Sequence, residues 1–220
     1  DPTATLTFLT KDGKSIKKDQ KLCMIQSNHH TLSTIERTLL NFIQYLSGIS
    51  TKTHQFVTKL NNPNIKILDT RKTLPGYRDL AKQAVVAGGG HNHRHNLSDM
   101  ILIKENHLKV LENQNQLNEL SVYIQQAKQN QPNILIEIEI ESLDQLKTFD
   151  LTQVDYILLD NFNINDIPKA ATICQEKQYK AELEISGNIT LDTITQYRNL
   201  PIQRISVGAL THSVKALDMS

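Results

Sequence analysis

Cysteine is scarce: Cys23 and Cys174 stand alone with no Cys-x-x-Cys spacing, which excludes a disulfide scaffold and suits a reducing compartment, so a cytoplasmic protein is expected. Tryptophan is absent and Phe and Tyr number only five and six, with no stripe that would stack bases, a flavin or a haem. Net charge is nearly absent too, 24 Lys and Arg against 23 Asp and Glu, so no overall field draws nucleic acid. No apolar run approaches the ~20 residues of a bilayer span, which excludes a helical membrane anchor in this stretch. There is no signal peptide, and the opening Asp1-Pro2-Thr3 leaves room for a leader or an N-terminal portion ahead of it. What remains is a globular composition, 39% apolar and 21% charged over 220 residues, long enough to bury a sizeable core.

Along the chain, residues 1–26 alternate in the manner of short strands around the turn Lys11-Asp12-Gly13-Lys14. Residues 31–48 change to helical spacing, with Ile35, Leu39, Phe42, Ile43 and Leu46 on one stripe and Gly48 placed as a stop. Arg37 lies off that stripe and, read alone, is a solvent-facing charge. From residue 65 onward six short runs rich in Ile, Leu and Val, at 65–69, 100–104, 134–139, 156–161, 181–187 and 204–209, alternate with segments that read as helices at 74–87, 113–130, 143–149, 165–177 and 191–200. Such alternation predicts βα units on a parallel sheet, and with no GxGxxG after any strand a barrel is favoured over a dinucleotide-binding sheet.

In a parallel barrel the C-terminal strand ends surround one mouth, and that mouth carries the chemistry. Here they bring together Arg71, Lys72, Arg94 and Lys104 as a cationic sector, Glu139 and Asp160 as an acidic pair, and Ser186, Gly187, Gly208 and Ala209 as small residues with accessible backbone N–H groups. Guanidinium groups grip carboxylate or phosphate bidentately, paired carboxylates suit a hard divalent ion, and glycine turns on late strands hold phosphate. The expected substrate is multiply anionic.

Several motifs have a plainer reading. Gly88-Gly89-Gly90 lacks the Lys-Ser/Thr of a phosphate-binding P-loop and reads as a helix end that frees the next loop. His91-Asn92-His93-Arg94-His95 invites zinc, but the pair does not follow a strand and no later strand ends in histidine, so His93 and Arg94 are expected to reach an anion instead. Glu137, Glu139 and Glu141 alternate on one strand face, which is inward in a closed barrel, and Glu139 is nearest the strand end.

Eight segments then carry a resemblance: LSGIST (46–51), DTRKTLPG (69–76), GGGHNHR (88–94), LSDMILIKENH (97–107), IEIEIESL (136–143), ILLDNF (157–162), EISGNIT (184–190) and ISVGALTHS (205–213). Together, and in this order, they resemble the quinolinate phosphoribosyltransferase family. The resemblance implies an incomplete, open TIM-like α/β barrel at 31–220. It also implies an N-terminal α+β domain of which residues 1–30 are the closing strands, the rest lying outside this sequence, and a helix at 31–50 shared at the domain and dimer interface. It implies a homodimer, in some members a hexamer, in which Arg37 of TIERTLLNF is donated in trans, so that the solvent reading of Arg37 gives way. Thr70, Arg71, His93, Arg94 and Lys104, with Lys72 close by, match positions that hold quinolinate. Glu139 and Asp160 match residues that meet the ribose and Mg²⁺ of phosphoribosyl pyrophosphate. Ser186, Gly187 and Asn188, with Val207, Gly208 and Ala209, match the 5′-phosphate loops. Lys104, Glu139 and Asp160 are the catalytic candidates, Mg²⁺ the implied cofactor, and the implied reaction joins quinolinate to the phosphoribosyl group with loss of CO₂. His91, His95 and Arg204 have no place in the pattern. The rivals are a relative acting on another pyridine or azole acid, a zinc barrel hydrolase, and a degenerate ligand-binding module.

Overall fold

The computed structural model describes residues 2–220. Two short antiparallel strands, β1 (Thr5–Phe8) and β2 (Cys23–Gln26), pair with Leu6 opposite Ile25 and leave Phe8 and Met24 exposed. Helix α1 (His29–Leu60) follows, its first turn capped by the Asn28 side chain, which accepts the Thr31 N–H at 2.9 Å. The helix runs through Gly48 and twelve residues beyond it, to Leu60, where sequence reasoning placed a stop. The glycine serves a contact made by the far end of the chain: a Cβ at Gly48 would lie 2.4 Å from the Lys215 carbonyl oxygen. The C-terminal residues cross α1 there, with Lys52 Nζ donating to the Ser213 carbonyl at 2.7 Å and the Leu217 N–H to the Gln44 carbonyl at 3.1 Å.

The six apolar runs form one parallel sheet of β3 (Lys66–Leu68), β4 (Met100–Ile103), β5 (Leu135–Ile140), β6 (Tyr156–Asp160), β7 (Glu182–Ser186) and β8 (Arg204–Ser206), in the spatial order β3-β8-β7-β6-β5-β4. β3 and β4 are the two edges, so the barrel is open. Beside β3 the chain before β4 begins to fill the gap, where His91 makes a parallel bridge to Leu68. Connecting helices are α2 (Arg78–Ala87), α3 (Glu105–Asn113), α4 (Leu120–Asn130), α5 (Leu143–Thr148), α6 (Ile167–Glu176) and α7 (Ala209–His212). The single helix expected over 113–130 is interrupted, because Asn115 adopts a left-handed φ of 56° that ends α3. The 191–200 segment carries only a 3₁₀ turn at Ile194–Tyr197.

Strand alternation divides the sheet into two faces. Ile136, Ile138, Ile140, Ile157, Leu159, Leu183, Ile185 and Ile205 belong to the apolar core beneath the helices. At ~1.5–3 kcal/mol for each side chain fully buried, this outer layer holds the sheet together. The inner face carries, beside Leu68 and Leu158, a set of polar groups: Glu137, Glu139, Glu184, Arg204 and Ser206 are all buried there. No helix among the described residues is long and apolar enough to cross a membrane.

Candidate active site

Register alone brings the key residues together. Arg204 on β8 lies opposite Glu184 on β7, Glu184 opposite Leu158 on β6, and Leu158 opposite Glu139 on β5, while Ile103 on β4 pairs with Ile138 and so delivers Lys104 to Glu139. Lys104 Nζ meets Glu139 Oε2 at 2.7 Å. Burial pulls the Lys104 ammonium down, but Glu139 more than compensates, and its pKa is raised. Burial raises the Glu139 carboxyl; Lys104 opposes that rise, and Glu105 and Asp160 add to it. Glu105, the first residue of α3, stands within hydrogen-bonding reach of Glu139 and was missed by sequence reasoning.

On the other flank Asp69 closes β3 and is fully buried, but it works as a structural anchor. Its Oδ1 takes Lys82 Nζ at 2.5 Å and the His93 N–H at 2.9 Å, and Lys82 also donates to the His93 carbonyl at 2.8 Å. The Asn92 amide, oriented so that its groups are satisfied, adds a bond to Asp69 Oδ2 at 2.8 Å. Gly88 and Gly90 let the same loop press on α1, where Cβ atoms would lie 2.4 Å from the Ser50 carbonyl and 2.6 Å from Thr53 Cγ2. The loop is thus pinned from both sides, and it presents Arg94 toward Arg71.

Arg94 Nη1 donates to the Met100 carbonyl at 3.1 Å, and burial first, then the nearby Arg71 charge, lower the Arg94 pKa. Arg71 is half-buried and its Nε has no hydrogen-bond partner. Among the described residues neither guanidinium has a carboxylate within ion-pairing distance. Two partly desolvated cations that feel each other's charge, neither with a carboxylate partner, favour an anion with more than one carboxylate. The groove at the opposite end of the sheet, about 570 Å³, pairs Lys128 with Asp155 at 2.5 Å and is lined by no arginine.

The His93 ring points away from the mouth. Its Nε2 lies 3.0 Å from Glu137 and 3.4 Å from Glu184, and its Nδ1 accepts the Arg94 N–H at 2.8 Å. Sequence reasoning had this ring gripping an anion, whereas here it is buried against two carboxylates. Desolvation opposes protonation, but Glu137 and Glu184 draw a second proton toward the ring, raising its pKa to about 9. That proton would have to sit at Nδ1, facing the Arg94 N–H. The geometry therefore favours the Nε2–H tautomer, and the Glu137 carboxyl that this nitrogen faces is raised by burial and then by Glu184. His91 is exposed beside β3, and His95 pairs with Asp79 at 2.5 Å, so the three histidines point in different directions.

The third flank is a bracket centred on Asn161. This residue takes a left-handed φ of 52°, donates from Nδ2 to Asp160 Oδ2 at 2.6 Å, gives its N–H to the Ser186 carbonyl at 3.0 Å, and accepts from Asn188 Nδ2 at 3.3 Å. It ties the acid at the end of β6 to the 186–188 loop. Gly187, at φ +103°, is needed there, because a Cβ would lie 2.1 Å from Asn161 Oδ1. Beside this bracket Val207 donates to the Leu68 carbonyl at 2.9 Å, Gly208 and Ala209 lead into α7, and the Thr211 hydroxyl holds the Lys72 carbonyl at 2.8 Å. Thr70 Oγ1 accepts the Lys72 N–H at 3.1 Å, and the Lys72 side chain is exposed. Arg37 stands apart, exposed on the N-terminal half of α1, with no bond to any of these residues.

The model of the quinolinate phosphoribosyl transferase C-terminal domain matches residues 49–220, and that of its N-terminal domain residues 2–47. A probable carboxylating nicotinate-nucleotide pyrophosphorylase of Methanocaldococcus jannaschii is 39% identical over 202 residues, covering 89% of this chain and 69% of its own. The carboxylating nicotinate-nucleotide pyrophosphorylase of Mycobacterium leprae is 36% identical over 212 residues, covering 96% and 72%. Among solved structures, NadC from Streptococcus pyogenes superposes with a TM-score of 0.89 at 38% identity, over 100% of this chain and 76% of that one. With both domain models matched across nearly its whole length and relatives of this identity and coverage, the chain belongs to the quinolinate phosphoribosyltransferase family.

Proposed function

We propose that the chain transfers the phosphoribosyl group of phosphoribosyl pyrophosphate to quinolinate with decarboxylation, giving nicotinate mononucleotide, pyrophosphate and CO₂ on the route to NAD. One observation carries the assignment of roles: Arg71 and Arg94 lie close enough for their charges to interact, partly buried and without a carboxylate in ion-pairing distance among the described residues, at the mouth that also holds Lys104, Glu139 and Asp160. A pyridine with two adjacent carboxylates fits that demand, with Lys72 and Thr70 at its edge. Ser186, Gly187 and Asn188, with Val207, Gly208 and Ala209, flank the place for the 5′-phosphate.

The pyridine nitrogen forms a bond to the anomeric carbon as the bond to pyrophosphate breaks and its electron pair leaves with that group. Positive charge grows on the ribosyl carbon, where Glu139 and Asp160 favour it electrostatically. The ring nitrogen, now quaternary, accepts the polarisation needed for the neighbouring carboxylate to depart as CO₂, and the pair left on the ring carbon takes a proton from solvent. No protein nucleophile is required, since the work is positioning two mutually repelling anions.

Mg²⁺ fits the donor set, because Glu139 and Asp160 offer hard carboxylate oxygens and Asp160 stands close enough to disfavour the charge on Glu139. When bound there with the pyrophosphate, the ion would neutralise the leaving group. Mixing the purified chain with quinolinate and phosphoribosyl pyrophosphate should release CO₂ only when both are present and Mg²⁺ is added. Release from nicotinate analogues alone, or none at all, would refute the assignment.

The same reading includes a cytoplasmic location, for which the two free thiols speak, and a homodimer in which Arg37 is donated in trans, for which its isolation on α1 speaks. If so, mixing inactive Arg37→Ala and Lys104→Ala subunits should restore about a quarter of wild-type activity, since each mixed dimer has one intact site. Absence of complementation would argue against the shared site.

A further inference from the structure

Beneath the mouth lies a set of buried charges that the reaction above does not use. Glu184 and Glu137 are 0% exposed and Arg204 is 7% exposed. Arg204 Nε donates to Glu184 Oε2 at 2.7 Å, and its guanidinium carbon stands 3.9 Å over the Tyr156 ring. Glu184 and Glu137 share the His93 Nε2, and apart from that contact both Glu137 oxygens and Glu184 Oε1 lack a hydrogen-bond partner. Buried carboxylates left so poorly satisfied are costly and call for an explanation.

A metal ion is the first to consider, because the His93, Glu137 and Glu184 ligand atoms all lie within 4.8 Å of one another. The Arg94 N–H decides against it. By donating to Nδ1 it fixes the proton on Nε2, and a nitrogen that carries hydrogen toward the carboxylates has no lone pair for a metal. What the arrangement does hold is orientation. Arg204 fixes Glu184, Glu184 and Glu137 together fix the ring, and the ring fixes the backbone N–H from which Arg94 extends.

We propose that Arg204, Glu184 and Glu137 are positioning residues for quinolinate: a buried charged floor that acts through His93 to aim Arg94. The proposal rests on the reading of Arg94 as a quinolinate-binding residue. It gives a role to Arg204, which no motif explains, and to the inward glutamate below the strand end.

The test is a double-mutant cycle read by steady-state kinetics on the full chain. Glu184→Gln should raise the KM for quinolinate about tenfold or more while the KM for phosphoribosyl pyrophosphate moves less than about threefold. In a His93→Gln background the same substitution should add less than about twofold, because its effect passes through a ring no longer present. If Glu184→Gln alone fails to fold, the Glu184→Gln/Arg204→Met pair, which leaves no unmatched cation, takes its place in the cycle. Additive effects, or equal rises in both KM values, would overturn the proposal. A wild-type chain that releases no CO₂ from quinolinate overturns the functional reading and this inference with it, whereas an active wild type with an additive cycle overturns the inference alone.

Discussion

Arg94→Ala should raise the quinolinate KM by two orders of magnitude or more and leave the protein at least as stable as before. The first half follows from the charge. A guanidinium bound bidentately to a carboxylate supplies two charge-assisted hydrogen bonds of ~1.5–3 kcal/mol each, so their loss corresponds to about 10²–10⁴-fold in affinity. The second follows from what surrounds Arg94 without substrate: it is partly buried, close to Arg71, and bonded only to the Met100 carbonyl. Burial and the Arg71 charge work against it there and outweigh the attraction of Glu137 and Asp99, so its removal should leave the thermal midpoint unchanged or raised, as happens where a site is kept at some expense to the fold. Phosphoribosyl pyrophosphate, which the proposed reading seats against the 186–188 and 207–209 loops, should keep its KM within about threefold. Arg94→Lys should recover little, since a point charge cannot reproduce the planar fork. A drop in thermal midpoint together with an unaltered quinolinate KM would show that Arg94 is a structural residue.

Much of this arrangement was legible in the chain, and the reasons are local. Six β runs announced themselves because each is a block of Ile, Leu and Val ending in a polar residue, and the polar ends converge because parallel strands share a mouth. Lys104 next to Glu139 follows from that logic and from one hydrogen-bonded register. Gly48 misled, since a glycine that makes room for a carbonyl 167 positions away, at Lys215, looks the same in sequence as a glycine that ends a helix. His93 was found as part of a basic loop, but the direction of its ring depends on Glu137 and Glu184, which lie on two other strands. The alternation of Glu137 and Glu139 did signal an inward acidic face; Arg204, the cation that balances it, sits after a short 3₁₀ segment with nothing local to mark it. Asn161 carried a readable hint, a polar pair closing a buried strand, but its bracket to Ser186 and Asn188 needs the neighbouring loop. Asp69 stands at a strand end like the catalytic candidates, yet its partner Lys82 lies on a helix where a lysine reads as solvent-facing.

That last pair leads to the largest expected loss of stability. The Lys82 and Asp69 side chains are 3% and 0% exposed, and their contact at 2.5 Å is the hub that fixes the loop 90–94 to the end of β3. Burial raises the Asp69 carboxyl even with Lys82 opposing it, so the folded state tolerates the charge only with the ammonium in place. Lys82→Met keeps the stem of the side chain and deletes the cation, leaving a buried carboxylate with backbone and amide donors alone. Breaking a buried pair from one side costs about 3–5 kcal/mol, a large share of a typical 5–15 kcal/mol of folding stability. For a chain of this length each kcal/mol moves the midpoint by ~2–4 °C, so a fall of roughly 6–20 °C is expected in thermal unfolding. Lys82→Met/Asp69→Leu, which removes both charges, should recover most of the loss, because the two desolvation costs vanish together with the attraction. Its quinolinate KM should nevertheless stay high, since the His93 N–H and carbonyl have lost the groups that hold them. A midpoint shift under ~2 °C for Lys82→Met would mean that water reaches Asp69 and that the loop is held by its glycine contacts with α1.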